Sequence, residues 1–138
     1  MATNFKVNGR DYSVAGEMED TSLLLYLRKT LRLTSVKNGC NEGHCGTCTV
    51  IINGKAKKSC LIKLKTLAGA EIETLEALSS KEAVHPVIYA YVMEGAVQCG
   101  FCTPGFIMAT KALLQNNPSP SPEEVKKALS GNLCRCTG

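Results

Sequence analysis

Four cysteines close together in the first half of the chain constrain its fold more than any other feature. They follow the spacing C-x4-C-x2-C, and a fourth cysteine follows after a short run. The first cysteine set, as we call it, is Cys40, Cys45, Cys48 and Cys60. Residues this close in sequence must surround one compact group, and the glycines between them allow the backbone to curl tightly around it.

The spacing of the first three members matches the ligand run of plant-type [2Fe-2S] sites. His44 lies between two of these cysteines and raises the alternative of a Rieske-type site, but that site needs two histidines. Because four cysteines are already present locally, we interpret His44 as a loop residue. The pattern therefore predicts a [2Fe-2S] cluster held in a loop by the first cysteine set.

The segment before the loop predicts a hairpin and a helix. Asn8-Gly9 is a type I′ turn signal inside residues 4–14, where apolar and polar residues alternate. Thr21 or Ser22 can cap a helix that runs through Lys29 with leucines on one face.

A second hairpin is expected after the loop, with its turn at residues 53–54. A two-residue turn pairs Ile52 with Lys55, and the same register places Cys60 opposite Thr47, beside Cys48. The returning strand is expected to continue to residue 64, and a further strand lies within residues 71–75. We expect a sheet of four or five strands with one helix.

The returning segment is rich in lysine. One interpretation is a solvated sheet edge that lysines protect from aggregation. The other is a patch that docks a partner or balances the charge of an anionic cluster. The residues are Lys55, Lys57, Lys58, Lys63 and Lys65.

The pattern of apolar residues changes near Ser79–Glu82, from a period of two to a period of 3.6. We place a domain boundary here, between residues 1–78 and residues 79–138. Three helices are expected in the second part: residues 84–92, a helix capped at Thr103 that ends near Gln115, and residues 121–129.

A second group of four cysteines lies in this part of the chain. The second cysteine set is Cys99, Cys102, Cys134 and Cys136. A C-x2-C pair alone fits a thioredoxin-like redox pair or a structural zinc site. Because four thiolates come from two sides of a helical hairpin, we predict a second [2Fe-2S] cluster. Disulfides would need an oxidising compartment.

Composition excludes several other classes of function. Only 5% of the residues are aromatic and there is no Trp, which disfavours a stacking surface for nucleic acid. We find neither an apolar signal stretch nor a run long enough to span a membrane, so we expect a cytoplasmic protein without nucleic-acid or membrane partners. The formal charge of +4 treats every cysteine as neutral, and ligated thiolates would offset it.

Three blocks of the sequence closely resemble the iron–sulfur subunit of the molybdenum hydroxylases, the family of xanthine dehydrogenase and aldehyde oxidoreductase. The blocks contain both cysteine sets and are Ser35–Val50, Gly95–Ala109 and Gly131–Gly138.

This resemblance implies an α+β protein with an N-terminal β-grasp, plant-type ferredoxin-like domain and an all-α helical-bundle [2Fe-2S] domain. It implies a distal cluster in the first set and a proximal cluster in the second, with Gln98 and Cys136 beside molybdopterin. Two partners are expected in a hetero-oligomer: a large molybdopterin-binding subunit, and an FAD-binding medium subunit.

The function that the resemblance implies is electron transfer from molybdenum through two [2Fe-2S] clusters to FAD and then to an acceptor such as NAD. Purines such as xanthine are the favoured substrates, with N-heterocycles, aldehydes and aryl-CoA open. The alternatives are a free-standing two-cluster ferredoxin and a structural zinc-binding interaction module. Because family members continue past the last block, we expect either a truncation at Gly138 or a partner that holds this end of the chain.

Overall fold

The computed structural model describes residues 2–79 and 82–136. Within these ranges a five-stranded sheet precedes the longer helices. The strands are β1 (Thr3–Val7), β2 (Arg10–Val14), β3 (Thr49–Ile52), β4 (Lys55–Lys58) and β5 (Glu71–Glu73). The helices are α1 (Leu23–Leu25), α2 (Pro86–Met93), α3 (Thr103–Asn116) and α4 (Pro122–Leu129).

The strands lie in the order β2-β1-β5-β3-β4. Strand β1 pairs with β5 in parallel, whereas the other pairs are antiparallel. The mixed α and β composition and the five-stranded sheet agree with the sequence-based prediction.

Both predicted hairpin turns are present. Asn8 and Gly9 have φ values of 52° and 83°, and Asn53 and Gly54 have values of 51° and 82°. A type I′ turn requires positive φ at both central residues, which Asn and Gly tolerate best. The pairing of Ile52 with Lys55 is confirmed.

The returning strand is shorter than predicted, since β4 ends at Lys58 and residues Ser59–Leu61 form a 3-10 turn. Buried Ser59 donates from both its backbone N and its Oγ to the carbonyl of Cys48, at 3.3 and 2.7 Å. These two bonds end the strand and turn the chain. Cys60 therefore lies beyond the paired residues of β3 and β4, and the predicted pairing with Thr47 is wrong.

The first helix also differs from the prediction. Ser22 caps it, with Oγ accepting from Leu25 N at 3.2 Å, but the α-helical part ends at Leu25. A π-helical turn, Tyr26–Thr30, follows. The wider turn keeps Tyr26 and Leu27 buried in the core below the sheet, and this packing overrides regular helical geometry.

Strand β3 is buried on both faces and joins the two parts of the chain. Val50 and Ile52 belong to the main core, whereas Ile51 packs against Met108 and Ala112 of α3. Successive residues of a strand point to opposite faces, so α3 covers the face that the first helix leaves open. The side chain of Lys111 in α3 also donates to Glu73 in β5 at 2.9 Å.

The three helices predicted in the second part are confirmed with shifted ends. Helix α3 begins one residue earlier than predicted, with Cys102 and not Thr103 at the cap position. His85 caps α2, its Nδ1 accepting from Val87 N at 3.2 Å, and Ser121 caps α4 in a capping box with Glu124. No helix of the described residues is long and apolar enough to cross a membrane. Ser80 and Lys81, at the expected boundary, and Gly138, where we expect a truncation or a partner, lie outside the described residues.

Glu76 ties the segment before the cysteine loop to the end of the sheet. Its carboxylate accepts from the backbone N of Ser35 at 3.0 Å, from Ser35 Oγ and from Thr74 Oγ1 at 2.8 Å. Thr74 is fully buried, and its backbone N donates to Asn8 Oδ1 at 2.9 Å. Burial raises the pKa of Glu76, but the bonds from Ser35 and Thr74 outweigh burial and lower the pKa overall.

Replacing Glu76 with Gln should lower the free energy of unfolding by about 1 kcal/mol at neutral pH, because a charge-assisted acceptor is lost at a half-buried position. The folded-state pKa lies below the unfolded value, so this contribution is complete above about pH 5 and disappears as the pH falls through the lowered pKa. Urea unfolding at several pH values measures the difference. The exposed Glu71→Gln is the control, and an equal loss in both variants would contradict the prediction.

Candidate metal centres

The loop before β3 holds the first three members of the first cysteine set. The sulfur of Cys40 accepts three backbone N–H bonds, from Glu42 at 3.3 Å, His44 at 3.2 Å and Cys45 at 3.3 Å. The backbone N–H of Cys40 in turn points to Cys45 Sγ at 3.3 Å. Successive amides that converge on one point form a site for negative charge, as thiolate ligands require.

Positive φ values at three residues allow these amides to converge. Asn41 has φ 57°, Gly43 79° and Gly46 76°. Gly39 also lacks space for a side chain, since a Cβ there would lie 2.6 Å from Cys45 Sγ. The tight curl expected from the glycines is therefore confirmed.

The amides change the acidity of Cys40. The bonds from Glu42, Cys45 and His44 lower the pKa of Cys40 to about 6. Cys40 is therefore largely a thiolate at neutral pH, which is the form that binds metal.

Cys60 shows the opposite shift. Burial, the neighbouring thiol of Cys48 and the charge of Cys40 raise the pKa of Cys60 to about 11. The structure thus brings Cys60 beside Cys48, as the hairpin predicted, and Cys48 is 3% exposed. Thiols that oppose each other's ionisation become good ligands once a cationic core supplies the missing positive charge.

Cys99 and Cys102 lie at the start of α3, where Cys102 is the cap residue. Burial, Cys134 and Cys99 raise the pKa of Cys102, which places Cys102 beside Cys134. These two thiols line an open cavity of about 220 Å³ together with Tyr91 and Phe106. Cys99 and Cys136 are exposed.

The spacing of the cysteines favours [2Fe-2S] clusters over single zinc ions. Within residues 2–79 and 82–136, no three His, Cys, Asp or Glu side chains converge closely enough to hold one ion. Tetrahedral zinc needs four thiolates about 2.3 Å from one centre. Structural zinc sites are usually built from C-x2-C pairs, whereas the C-x4-C-x2-C run of the first cysteine set is that of plant-type [2Fe-2S] sites.

Hydrogen bonds join the loop of the first cysteine set to the segment just before Cys134. The N–H of Leu133 donates to the carbonyl of Cys45 at 2.8 Å, and Asn132 Nδ2 donates to the carbonyl of Gly46 at 3.0 Å. Gly105 in α3 lies against the same carbonyl. Gly105 and Asn132 lie inside two of the blocks that resemble the family, but the sequence did not indicate their role, because that role depends on the packing of distant segments.

Two other candidate residues are exposed. Gln98 lies beside Cys99 on the surface. The backbone N–H of His44 donates to the sulfur of Cys40. The ring of His44 lies 4.0 Å from the carboxylate of Glu42 and is solvent-exposed. This position agrees with the interpretation of His44 as a loop residue.

The lysines of the returning segment divide into two groups. Lys55 and Lys57 are exposed on β4, and Lys63 and Lys65 lie 4.0 and 2.8 Å from Asp20. These four fit the interpretation of a solvated edge. Lys58 differs, because its Nζ donates to the carbonyl of Gly43 in the cysteine loop at 2.7 Å.

Models of two protein families match the chain. Residues 5–79 match a 2Fe-2S iron-sulfur cluster binding domain, and residues 74–138 match a [2Fe-2S] binding domain. Both halves therefore resemble domains that bind iron–sulfur clusters, which argues against the zinc module.

Known proteins resemble nearly the whole chain. One subunit of the nicotinate dehydrogenase of Pseudomonas putida is 52% identical over 133 residues, which cover 96% of this chain and 84% of that protein. The nicotine 6-hydroxylase small subunit of Paenarthrobacter nicotinovorans is 48% identical, over 96% of this chain and 79% of that protein.

The fold is similar to that of solved structures. Quinoline 2-oxidoreductase from Pseudomonas putida 86 matches with a TM-score of 0.88 and 40% identity, over 100% of this chain and 85% of that chain. Cluster-binding families match both halves, and close relatives match nearly the full length. The chain therefore belongs to the iron–sulfur small subunits of the molybdenum hydroxylases, as an electron-transfer subunit without a substrate site of its own.

Proposed function

We propose that the chain carries electrons from the molybdenum cofactor of a large subunit to FAD in a medium subunit, and from there to an acceptor such as NAD. The observation that carries this proposal is the hydrogen bond between Cys45 O and Leu133 N, which holds the residue next to Cys134 against the loop of the first cysteine set. The complex is a hetero-oligomer in the cytoplasm. Each bound [2Fe-2S] cluster stores one electron.

The first cysteine set holds the distal cluster and the second set holds the proximal cluster. The amides around Cys40 orient its sulfur and stabilise negative charge there. Burial of Cys48 keeps water from that side of the site. The contacts of Gly46 with Asn132 and Gly105 keep the two sites at one separation.

The chain divides into a β-grasp ferredoxin-like domain, residues 1–78, and a helical-bundle domain, residues 79–138. This division is supported by the last strand, which ends at Glu73, and by α2, which begins at Pro86. Gln98 and Cys136 face the molybdopterin of the large subunit. Their exposure leaves both side chains accessible to such a partner.

The complex acts on N-heteroaromatic compounds. The relatives named above support this class, because nicotinate, nicotine and quinoline all contain a nitrogen heteroaromatic ring. The purine expectation has no support among them. We therefore favour a pyridine or quinoline ring over xanthine.

The test uses the complex purified with its partner subunits. Iron, acid-labile sulfide, molybdenum and FAD are quantified, and reduction by a panel of nicotinate, nicotine, quinoline, xanthine and an aldehyde is followed by the bleaching of iron–sulfur absorption. We expect bleaching with one of the first three compounds. Bleaching with xanthine alone would overturn the substrate class, and a preparation without molybdenum or FAD would overturn the electron route.

A further inference from the structure

Lys58 lies between two members of the first cysteine set. It is the last residue of β4 and pairs with Thr49, which directly follows Cys48. Cys60 comes two residues later. The hairpin therefore holds the backbone of Lys58 next to the loop that carries the other cysteines.

The side chain of Lys58 crosses to that loop. Its Nζ donates to the carbonyl of Gly43 at 2.7 Å, and the bond is partly buried. The ammonium end of the side chain also lies against Gly131, where an added Cβ would be 3.2 Å from Nζ. A hydrogen bond from a charged donor is stronger than one from a neutral donor. The bond from Lys58 therefore restrains the carbonyl of Gly43.

The carbonyl of Gly43 and the N–H of His44 belong to one peptide group. This peptide is trans, as are the others in the described residues, so the two groups point in opposite directions. The N–H of His44 donates to Cys40 Sγ at 3.2 Å. One rigid peptide thus has the Lys58 ammonium at its oxygen and the Cys40 sulfur at its nitrogen.

This peptide needs restraint. Gly43 has φ 79°, and glycine moves between backbone conformations with little steric resistance. Rotation of the peptide would take the His44 N–H away from the sulfur. A donor fixed at the carbonyl opposes that rotation, and it also polarises the peptide so that its N–H becomes a better donor.

We propose that Lys58 is a positioning residue that holds the Gly43–His44 peptide against Cys40 and thereby raises the reduction potential of the cluster in the first cysteine set. Hydrogen bonds to the sulfurs and the net charge around a cluster set its potential, because reduction adds negative charge that N–H groups and cations stabilise. The inference rests on the proposed ligation by the first cysteine set.

The experiment measures both cluster potentials in the purified complex with its partner subunits. EPR-monitored redox titration compares wild type with Lys58→Met, which keeps the length of the side chain without charge or donor. In Lys58→Met we expect a lower midpoint potential for the cluster in the first cysteine set and an unchanged potential for the cluster in the second set. Lys58→Arg keeps a charged donor, so its midpoint potential should lie close to that of wild type.

Lys57→Met is the matched control, because it removes a neighbouring lysine that is exposed on β4. Its potentials should equal those of wild type. A second measurement reads the position of the peptide: pulsed electron–nuclear double resonance follows deuterium exchange of amide protons coupled to the reduced cluster. Exchange should be faster in Lys58→Met than in Lys57→Met.

Unchanged potentials in Lys58→Met, or equal shifts in the Lys58 and Lys57 variants, would overturn the inference. If Lys58→Met fails to fold, Lys58→Gln takes its place, because its shorter side chain cannot span the same distance. Failure of the proposed ligation has a different signature: the wild-type complex would itself contain one cluster signal and not two.

Discussion

Replacing Cys48 with serine is expected to remove one of the two [2Fe-2S] EPR signals of the reduced complex and to leave the other unchanged. Cys48 is the most buried member of its set, at 3% exposure, and lies immediately before β3. Iron–sulfur cores prefer soft thiolate ligands, and a serine hydroxyl is a harder ligand that remains protonated at neutral pH. The loss of metal affinity should exceed the roughly 10–100-fold that follows loss of an outer hydrogen-bonding partner.

Cys134→Ser is the reciprocal variant, expected to remove the other signal. Each substitution should halve the iron content, and each should block electron delivery to the final acceptor while the folded chain remains assembled. Circular dichroism and subunit co-purification monitor folding and assembly. Survival of both signals in either variant, or loss of both in each, would contradict two independent sets of four ligands.

Replacing Gly105 with alanine should destabilise the chain by about 3 kcal/mol, at the upper end of the range for overpacked sites. An added Cβ would lie 2.2 Å from the carbonyl oxygen of Gly46. This oxygen already accepts from Asn132 Nδ2 at 3.0 Å and from Thr49 Oγ1 at 2.7 Å. The carbonyl cannot retreat without weakening these bonds, so the strain falls on the contact between α3 and the cysteine loop.

Thermal unfolding measures this effect, and we expect a decrease in Tm of roughly 10 °C. Gly131→Ala is the matched control in the same region. The atoms nearest its added Cβ are the flexible end of Lys58, at 3.2 and 3.4 Å, so we expect a much smaller decrease. Equal Tm values for Gly105→Ala and wild type would contradict the prediction. They would show that α3 can move away from the cysteine loop without lowering the free energy of unfolding.

Several elements could be predicted because their causes are local. The Asn-Gly turns prescribe positive φ, and the register of β3 and β4 follows from the turn length. Ser22 and Ser121 mark helix starts through bonds to residues three positions ahead. These signals depend on residues that are close in sequence, so they can be read without knowing how the rest of the chain folds.

The errors arose where distant contacts override local preference. Ser59 ends β4 early because it binds the Cys48 carbonyl, and burial of Tyr26 and Leu27 converts the expected helix into a π-helical turn. Gly105, in the first turn of α3, likewise meets the carbonyl of Gly46, a contact that no local signal indicates.

The amino-acid sequence alone was sufficient to predict both cysteine sets, the hairpin that returns Cys60 to Cys48 and a sheet of four or five strands, because ligand spacing and turn geometry depend on residues close along the chain. The folded arrangement was needed to identify the hydrogen bond from the Leu133 amide to the Cys45 carbonyl. It was also needed to show that, among the five lysines and within the described residues, Lys58 is the one that donates to the cysteine loop. Those contacts depend on how α3 packs over β3, which joins residues far apart in sequence.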